Sequence, residues 1–475
     1  MLGYILQFTD EKSKPKYIQL YEHIKSEIAK GEINEGQKLP SIRSVADTLA
    51  ISKSTVEMAY AQLLAEGYIE SRAKSGYYVL GIEGLHIYED LKINSNSDAG
   101  SLIQEQMMTD AKKRFNTDGI EEVLFNFNDW RKMTNKILDY SRSSLVKYGD
   151  LQGEYSLRVE IAKFVHETRG VVCTPEQIII GAGVQSLFVL VAALLRGDKN
   201  QIAFEFPGFI KGATIFEDYG YETVKIPVKA QGLNISALEK STAKIVYVSP
   251  AHQYPTGSIM PIGNRLKLLK WASENDGIII EDDYDSVLRY EGLPIPSLQG
   301  LNKGQQVVYV GAFSKLLMPS LRISFIILPK NLLEKYVKIK TRYAQTVSKV
   351  EQLTLANFMS EGYFDRHIRK IKKAYGRKNQ LMLESLRTHG KTYFEVIGKT
   401  SGLHVVLSFE ATMDVKALAE EMNGIGIRLE DAGLFEGRKI AVLSYSGLVD
   451  REIDSAVRAI CVAIEKLKRH NEGRT

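Results

Sequence analysis

Residues 310–322 read VGAFSKLLMPSLR, and apolar runs at 307–310 and 323–328 flank the polar part of this stretch. Both apolar runs are typical of buried strands. A lysine such as Lys315, if buried there without a partner, is costly to desolvate and shifts its pKa or gains a partner. A neutral lysine amine is what a Schiff base with an aldehyde requires. The alternative interpretation is an exposed loop with ordinary charges, and this stretch alone does not separate the two.

Two side chains near Lys315 add a phosphate-binding pattern. Arg322 carries a planar donor fork that suits a phosphate, and Ser314 places a hydroxyl beside the lysine. A Schiff-base lysine together with a phosphate-binding arginine is the combination expected for pyridoxal 5'-phosphate (PLP).

An acidic cluster follows a second apolar run, in residues 277–285, which read GIIIEDDYD. In open α/β sheets, ligands bind beyond the carboxyl ends of the strands. A buried carboxylate at that position would hold a pyridine nitrogen protonated, which makes the ring an electron sink. A tyrosine nearby would donate to the phenolic oxygen of the ring.

A glycine turn in residues 178–185, IIIGAGVQ, joins a predicted strand to a predicted helix. Backbone N–H groups at a helix N-terminus form an anion site. The glycine turn is a weak signal by itself. An anion site, an acid with a tyrosine, and a lysine with an arginine, in that order, together predict a PLP site.

On these motifs the chain resembles the MocR/GabR family of transcriptional regulators, which join a GntR-type winged helix to an aminotransferase-like domain of fold type I. The resemblance covers nearly the whole chain. It implies an N-terminal winged helix-turn-helix followed by an α/β PLP-dependent transferase fold, with a large, mostly parallel-sheet domain and a small α+β domain. It also matches residues 249–257, SPAHQYPTG, to the proline-rich active-site loop of the family.

The resemblance implies roles for individual residues. Lys315 would form the internal aldimine with PLP, Asp282 would pair with the pyridine nitrogen, and Tyr284 would pair with the phenolic oxygen. Phe209 would stack on the ring. The phosphate would be held by Ala182 through its N–H, and by Gly183, Ser314 and Arg322.

Composition limits the class of protein. With 475 residues and 44% hydrophobic content, the chain is expected to form two or more domains with sizeable cores. The net charge of +5 is mild. The two cysteines, Cys173 and Cys461, lie far apart and suggest a reducing compartment. No signal peptide or membrane-spanning run is found and no metal site is predicted, so we expect a cytoplasmic protein without membrane contact.

Residues 13–80 predict a winged helix-turn-helix. Apolar residues recur at helical spacing over 17–28, Ser41 is placed to cap a second helix, and Ser52 is placed to cap a recognition helix. Residues 68–79 predict a hairpin, the wing. Short polar and basic side chains at the start of a recognition helix reach bases, and basic residues on the wing reach phosphates. The predicted DNA-binding residues are Arg43, Lys53, Ser54, Thr55, Arg72 and Lys74.

The alternative for this segment is a small helical domain that binds protein. Residues 1–80 carry ten basic and ten acidic side chains, so bulk charge does not favour DNA. The local placement of the basic residues and the resemblance to the GntR pattern both favour double-stranded DNA.

Further along the chain, residues 81–115 predict a flexible linker, because residues 94–101, NSNSDAGS, are polar and without apolar period. Residues 116–475 form the predicted PLP domain, with strands near 178, 202, 223, 245, 278 and 307 and a small subdomain from about 335 to 475. Basic residues at 338–342 and 366–373 form either a solvated face or an auxiliary DNA contact. Tyr148 either reaches the site of the partner in a head-to-tail homodimer or is a core residue.

The chain departs from the family pattern where effectors are recognised. Residues 442–448, VLSYSGL, lack the arginine that binds a carboxylate in amino-acid sensors, and Lys211 stands in the region of the second arginine of GABA sensors. A lysine is a point charge and not a fork, so GABA is not the expected effector. Tyr254 replaces the usual asparagine, and His252 is either a substitute donor or a structural residue.

Two functional hypotheses follow. In the first, the chain is a PLP-dependent transcriptional regulator whose aldimine at Lys315 senses PLP or a small amine effector. One version of it is a regulator of vitamin B6 synthesis, and another responds to an amino acid or dipeptide. In the second, the chain is an active aminotransferase with an appended targeting module, which the missing arginine disfavours.

Overall fold

A computed structural model describes residues 14–73, 75–81, 115, 121–197, 200–290, 292, 294–398 and 401–472. The chain divides into two compact units, Met1–Glu105 and Gln106–Thr475. Most of the predicted linker and the predicted wing residue Lys74 lie outside the described residues. Within the described ranges, no helix is long and apolar enough to cross a membrane.

The first unit contains three helices and a hairpin: α1 (Lys16–Ala29), α2 (Ile42–Leu49), α3 (Lys53–Ala65), β1 (Ile69–Arg72) and β2 (Gly76–Val79). The Ser41 and Ser52 side chains accept the N–H groups of Ser44 and Thr55, each at 3.2 Å. These bonds satisfy amides that a helix start leaves without intrahelical partners. The predicted N-caps are therefore confirmed.

The core of this unit is formed by the apolar faces of its helices. Val56, Tyr60 and Leu63 of α3 are fully buried, as their helical spacing predicts, and they pack with Leu20 and Ile24 of α1. Strands β1 and β2 pair antiparallel with Arg72 opposite Gly76, which forms the predicted wing. This packing leaves the first turn of α3 at the surface.

The second unit is built on an eight-stranded sheet in the order β3-β10-β9-β8-β7-β4-β5-β6. Its strands are β3 (Ile178–Ala182), β4 (Gln201–Phe206), β5 (Glu222–Lys229), β6 (Gly232–Leu233), β7 (Ile245–Val248), β8 (Ile278–Asp283), β9 (Val307–Ala312) and β10 (Ile323–Ile327). The five neighbours β9, β8, β7, β4 and β5 are parallel. Strand β10 is antiparallel to both of its neighbours, so the sheet is mixed with a parallel centre, which confirms the predicted mostly parallel sheet.

Helices alternate with these strands, as the sequence predicts. They are α4 (Phe127–Tyr140), α5 (Arg142–Leu145), α6 (Tyr155–Arg169), α7 (Val184–Leu195), α8 (Ile210–Asp218), α9 (Ile235–Glu239), α10 (Ile262–Glu274) and α11 (Leu298–Leu301). Separate apolar clusters cover the sheet, one containing Ile180 and Phe325 and another containing Ile179 and Ile326. Because successive side chains of a strand point to opposite faces, these clusters lie on opposite sides of the sheet.

A small subdomain completes the second unit. Helices α12 (Lys330–Ile339), α13 (Lys349–Ser360) and α14 (Tyr363–Gly390) lead to an antiparallel sheet in the order β11-β12-β14-β13. Its strands are β11 (Glu395–Ile397), β12 (His404–Phe409), β13 (Leu429–Phe435) and β14 (Arg438–Ser444), and its helices are α15 (Val415–Gly424) and α16 (Ile453–Glu472). The long helix α14 contributes Phe364, Ile371 and Tyr375 to one core and Met382 and Leu386 to the core of the small subdomain.

Candidate cofactor site and DNA-binding surface

Asp282 lies at the carboxyl end of the central strand β8 and is buried. Its Oδ2 accepts a hydrogen bond from the hydroxyl of Tyr247. Its Oδ1 is buried and has no hydrogen-bond partner in the described part of the chain. Burial, with the nearby charges of Asp283 and Asp285, raises the pKa of Asp282 to about 7. A cation at Oδ1 would stabilise the carboxylate form.

The other acids of β8 face the opposite side of the sheet. Asp283 accepts a hydrogen bond from Arg169 Nε at 2.6 Å and another from the hydroxyl of Tyr309. Glu281 accepts the N–H groups of Leu298 and Gln299, each at 2.9 Å. These two acids hold helices against the sheet, so the acidic cluster of the sequence divides into one site residue and two structural residues.

Arg322 and Gly183 form the predicted anion site. Gly183 is the N-cap of α7 with φ of +84°, and a Cβ atom added to it would collide with the guanidinium of Arg322. The arginine therefore lies against the start of a helix whose first amides have no intrahelical acceptors. A guanidinium and helix amides at one point are donors that suit a phosphate.

Ala182, whose N–H is predicted to contact the phosphate, has a hydrogen-bond acceptor within the chain. The N–H of Ala182 donates to Thr346 Oγ1 at 2.9 Å, so this amide already has an intrachain acceptor. Ala182 is still the last residue of β3, where it pairs with Ile323, and it carries the chain into the glycine turn. Its role is therefore to position Gly183.

Lys315 follows β9 and lines a cavity of about 460 Å³ together with Ser314, Arg322 and Tyr284. Its side chain is exposed, which agrees with the predicted alternative of an exposed loop in this respect. The strand ends at Ala312, and the turn that follows buries Phe313 and directs the lysine to the cavity wall.

Tyr284 lies beside a buried histidine–aspartate pair. Its hydroxyl is 3.1 Å from His252 Nδ1, which is also 2.8 Å from Asp285 Oδ1. His252 is packed closely, because a Cβ atom added to Gly402 would collide with it. His252 was predicted to be either a substitute donor or a structural residue. It is buried, as a structural residue would be, and it also contacts the hydroxyl of Tyr284.

Aromatic rings lie next to this site. Phe209 is half-buried, and its ring centroid is 6.1 Å from that of Tyr247 with an angle of 33° between the planes. Tyr254 packs edge-on against Tyr284, with the centroids 6.3 Å apart. Lys211 is exposed and is not among the cavity residues.

The cavity has a second wall that the sequence reasoning missed. The small subdomain contributes His404, Arg428, Glu430, Ser444 and Ser446 to it. The alternation of charged Arg428, buried Leu429 and charged Glu430 is a strand signal that was available in the sequence. Nothing in the sequence places this strand opposite Lys315.

His404 is a buried histidine beside this cavity. Its ring lies 5.4 Å from the ring of His252 with an angle of 27° between the planes. Burial, together with the nearby His252 and Lys315, lowers the pKa of His404 to about 3. The imidazole is therefore neutral near pH 7.

Tyr148 is fully exposed, at 103% of its reference surface. The interpretation of this residue as a core tyrosine is wrong, because the loop after α5 carries it away from the sheet. Tyr140 and Val146 beside it are 84% and 85% exposed. This part of the protomer therefore presents apolar surface.

The predicted DNA-binding residues differ in their surroundings. Arg43, Lys53 and Ser54 are exposed. Thr55 is half-buried, and its hydroxyl is 2.7 Å from Ser52 Oγ at the N-cap. Arg72 pairs with Glu70 at 2.7 Å and lies 4.3 Å from the centre of the Tyr78 ring. The first three residues have the freest approach to a ligand.

The residues of the second unit fit PLP. Asp282 Oδ1 is a buried acceptor suited to a protonated ring nitrogen, and the guanidinium of Arg322 occupies the space that a side chain at Gly183 would fill, so it lies at the start of α7. Lys315 lines the same cavity as Arg322. Among the residues that the structure describes, no cluster of three or more metal-binding side chains occurs.

Comparison with known families supports both units. Residues 119–459 match the family described as aminotransferase class I and II, and residues 16–79 match the bacterial regulatory proteins of the gntR family. The chain is 37% identical over 453 residues to an uncharacterized HTH-type transcriptional regulator, YdeL of Bacillus subtilis, covering 94% of this chain and 96% of the relative. It is 30% identical to the probable rhizopine catabolism regulatory protein MocR of Rhizobium meliloti, covering 95% and 94%.

A more distant relative is the pyridoxine biosynthesis regulator PdxR of Corynebacterium glutamicum, 28% identical over 86% of both chains. Among solved structures, the α-aminoadipate aminotransferase LysN of Thermus thermophilus, complexed with N-(5'-phosphopyridoxyl)-L-leucine, superposes with a TM-score of 0.68. It is 22% identical, and the match covers 81% of this chain and 99% of LysN. This likeness shows the fold of the second unit.

Proposed function

Because the chain belongs to the MocR family, transcriptional regulators that join a GntR-type winged helix to a PLP-binding aminotransferase class I and II domain, we propose that it regulates transcription through occupancy of its PLP site. The supporting observation is that Lys315 and Arg322 line one cavity, with a buried acceptor at Asp282 Oδ1 and with Arg322 against Gly183, in a chain that also contains a winged helix. The output of this site is a change in affinity for operator DNA.

The proposal assigns a task to each group. When bound, PLP supplies an aldehyde that reacts with primary amines and a ring that accepts electrons. Lys315 provides the amine that attaches the cofactor, and Asp282 holds the ring nitrogen. Tyr284, oriented by His252, directs its hydroxyl to the ring oxygen, and Phe209 covers the ring face. Arg322, Ser314 and the start of α7 hold the phosphate.

The winged helix binds double-stranded DNA in this proposal. Arg43 is exposed on α2. Lys53 and Ser54 are exposed in the first turn of α3, the recognition helix, whose N-terminal end enters a groove. Thr55 supports that helix start through its bond to Ser52. Arg72 on the wing contacts phosphate if its pairing with Glu70 is exchanged for the DNA backbone.

The effector is PLP itself or a small amine that displaces Lys315. An effector changes operator affinity only if it binds the two states of the regulator unequally. The name of PdxR, a regulator of pyridoxine biosynthesis, supports a role in vitamin B6 synthesis, whereas the name of MocR refers to rhizopine catabolism. A PLP titration of operator binding separates these versions.

We also propose a head-to-tail homodimer, in which a partner covers the apolar surface that includes Tyr140, Val146 and Tyr148. Exposure of 84%, 85% and 103% at these residues supports it, since soluble monomers rarely expose such side chains together. Sedimentation of the PLP-loaded protein at micromolar concentration tests it, and a protomer mass would contradict it.

The decisive experiment is a PLP titration of the full-length protein, read by visible absorption and repeated with fluorescent operator DNA. The proposal expects a cofactor band that requires Lys315 and a DNA affinity that changes as the band fills. A band without any change in DNA affinity would assign PLP to the resident cofactor and leave an amine as the effector. Absence of the band would contradict the proposed function.

An active aminotransferase is the second candidate. The observation that favours it is a 27% identity over 82% of this chain to aromatic-amino-acid aminotransferase 1 of Thermococcus litoralis, combined with an open cavity at Lys315. Steady-state amino transfer from a panel of amino acids tests it. Sustained turnover would contradict a purely regulatory role.

A further inference from the structure

Three strands of the small subdomain form one polar wall opposite Lys315. His404 stands at the start of β12, Ser444 at the end of β14, and Glu430 near the start of β13, with Arg428 immediately before that strand. His404 and Ser444 pair directly in the sheet. All four residues line the cavity of Lys315 and Arg322. A ligand attached near Lys315 therefore extends toward this wall.

In the family pattern, a carboxylate-binding arginine lies in the segment that corresponds to residues 442–448 here. Arg428 lies on the segment next to it in the sheet. Ser444 lies within residues 442–448, and its N–H donates to the carbonyl oxygen of Arg428 at 3.3 Å. The side chain of Arg428 is half exposed, at 52%. The cavity therefore contains an arginine, but it lies on the segment next to the one in which the family pattern has it.

Glu430 accompanies this arginine on the same face. The buried Leu429 separates them, and alternation along a strand directs Arg428 and Glu430 to one side. Arg428 Nη2 and Glu430 Oε2 are 3.9 Å apart, a loose ion pair. The Tyr254 hydroxyl hydrogen-bonds to Glu430, which fixes the carboxylate at the cavity wall.

We propose that Arg428 binds the carboxylate of an amino-acid effector and that Glu430 selects against effectors with a second carboxylate. The inference deepens the proposed function and rests on it. Arginine has five N–H donors, so it can keep its contact with Glu430 and bind a carboxylate as well. The charge of Glu430 repels an acidic side chain and attracts a basic one. The effector class is an amino acid with a neutral or basic side chain.

The test uses the full-length, PLP-loaded protein and follows its visible spectrum. The probes are L-alanine, L-lysine and L-glutamate, with ethylamine and 1,5-diaminopentane as the amines that lack the carboxylate. Arg428→Gln is expected to weaken L-alanine and L-lysine about 10- to 100-fold more than the matched amines, since a hydrogen bond to a charged group is lost. Arg428→Lys should recover part of this loss.

Glu430→Gln tests selection separately. It is expected to strengthen binding of L-glutamate about 10-fold and to leave L-alanine less affected, because a like charge is removed. Arg451→Gln is the matched control, since Arg451 is exposed and is not among the cavity residues. It should not change any affinity.

Three results would overturn the inference. The first is that none of the amino acids changes the spectrum of the wild-type protein. The second is that Arg428→Gln weakens the amines as much as the amino acids, and the third is that Glu430→Gln leaves L-glutamate binding as it was. In these cases a Lys315-dependent cofactor band that alters DNA affinity would leave the proposed function intact. Absence of that band in the wild type would overturn both.

Discussion

Asp282 and Asp283 are consecutive on β8 and serve opposite sides of the sheet. Asp282 keeps one buried oxygen without a hydrogen-bond partner in the described part of the chain, whereas Asp283 is bound by Arg169 at 2.6 Å. The alternation of a strand is sufficient to produce this difference. One carboxylate is available to a ligand, and its neighbour is committed to the fold.

Substitution of these two aspartates should therefore have different effects. Asp282→Asn is expected to weaken PLP binding about 10- to 100-fold, because a charge-assisted hydrogen bond to the ring nitrogen is lost. Asp283→Asn should lower the free energy of unfolding by about 3 kcal/mol, because the buried guanidinium of Arg169 then keeps only the more distant carboxylate of Glu281, at 3.9 Å. Absorption titrations and urea unfolding measure the two quantities. Equal effects of both variants on PLP affinity would contradict the assignment.

Lys315→Ala should abolish the cofactor band while leaving the secondary structure unchanged, since Lys315 is exposed on the cavity wall. The operator affinity of this variant should no longer respond to PLP. Absorption, circular dichroism and fluorescence anisotropy with operator DNA give the three readouts. Lys211→Ala removes another exposed lysine and is the control. A normal band in Lys315→Ala would place the attachment elsewhere.

Gly183→Ala should impair recognition of the phosphate. The new Cβ atom would collide with the Arg322 guanidinium, and the φ of +84° is unfavourable for alanine. We expect the affinity for PLP to fall about 10-fold or more, whereas pyridoxal, which has no phosphate, should lose less. Gly220→Ala has a similar φ of +82° but open space around the added atom, so it controls for backbone strain. Equal losses of affinity for PLP and for pyridoxal would contradict a phosphate site at Gly183 and Arg322.

Arg43→Ala and Lys53→Ala should each weaken operator binding about 5- to 100-fold without altering the cofactor band. Both side chains are exposed on the predicted recognition surface. Lys30→Ala removes an exposed lysine from the end of α1 and is the control. Fluorescence anisotropy at fixed salt measures the affinity. If Lys30→Ala weakens binding as much as the other two, the recognition surface is misplaced.

His404→Gln should change how stability depends on pH. Burial lowers the pKa of His404 to about 3, so the unfolded chain binds a proton below about pH 6.5 that the folded chain does not. This group therefore lowers the free energy of unfolding as pH falls, by about 1.4 kcal/mol per pH unit at most. The variant should show a shallower loss between pH 7 and pH 5 in urea unfolding. Parallel profiles for wild type and variant would contradict it.

Local sequence patterns predicted much of the fold. Helical spacing placed Val56, Tyr60 and Leu63 in a core, and Ser41 and Ser52 were recognised as N-caps, because both properties depend on near neighbours in the chain. The central strands were predicted from their apolar runs. The antiparallel direction of β10 was not predicted, since direction depends on the path of the connection and not on composition.

Only the part of the candidate site that lies in the large subdomain was predicted. The motifs around Asp282, Lys315 and Arg322 are local, and the structure brings Lys315 and Arg322 to one cavity. The exposure of Lys315 was left open and the contact of Ala182 with Thr346 was not predicted, because they depend on the cavity wall and on Thr346, which are distant in sequence. Arg428 was missed for the same reason.

Helix α14, with 28 residues, is about 42 Å long at 1.5 Å per residue. Its first half is embedded in the core of the large subdomain and its second half in the core of the small one. It is therefore one continuous helix that connects the two cores. A tilt of about 5° would displace the far end by about 4 Å, a distance that follows from this length. A small change of helix direction in one core is thus enlarged at the end of α14 that lies in the other core.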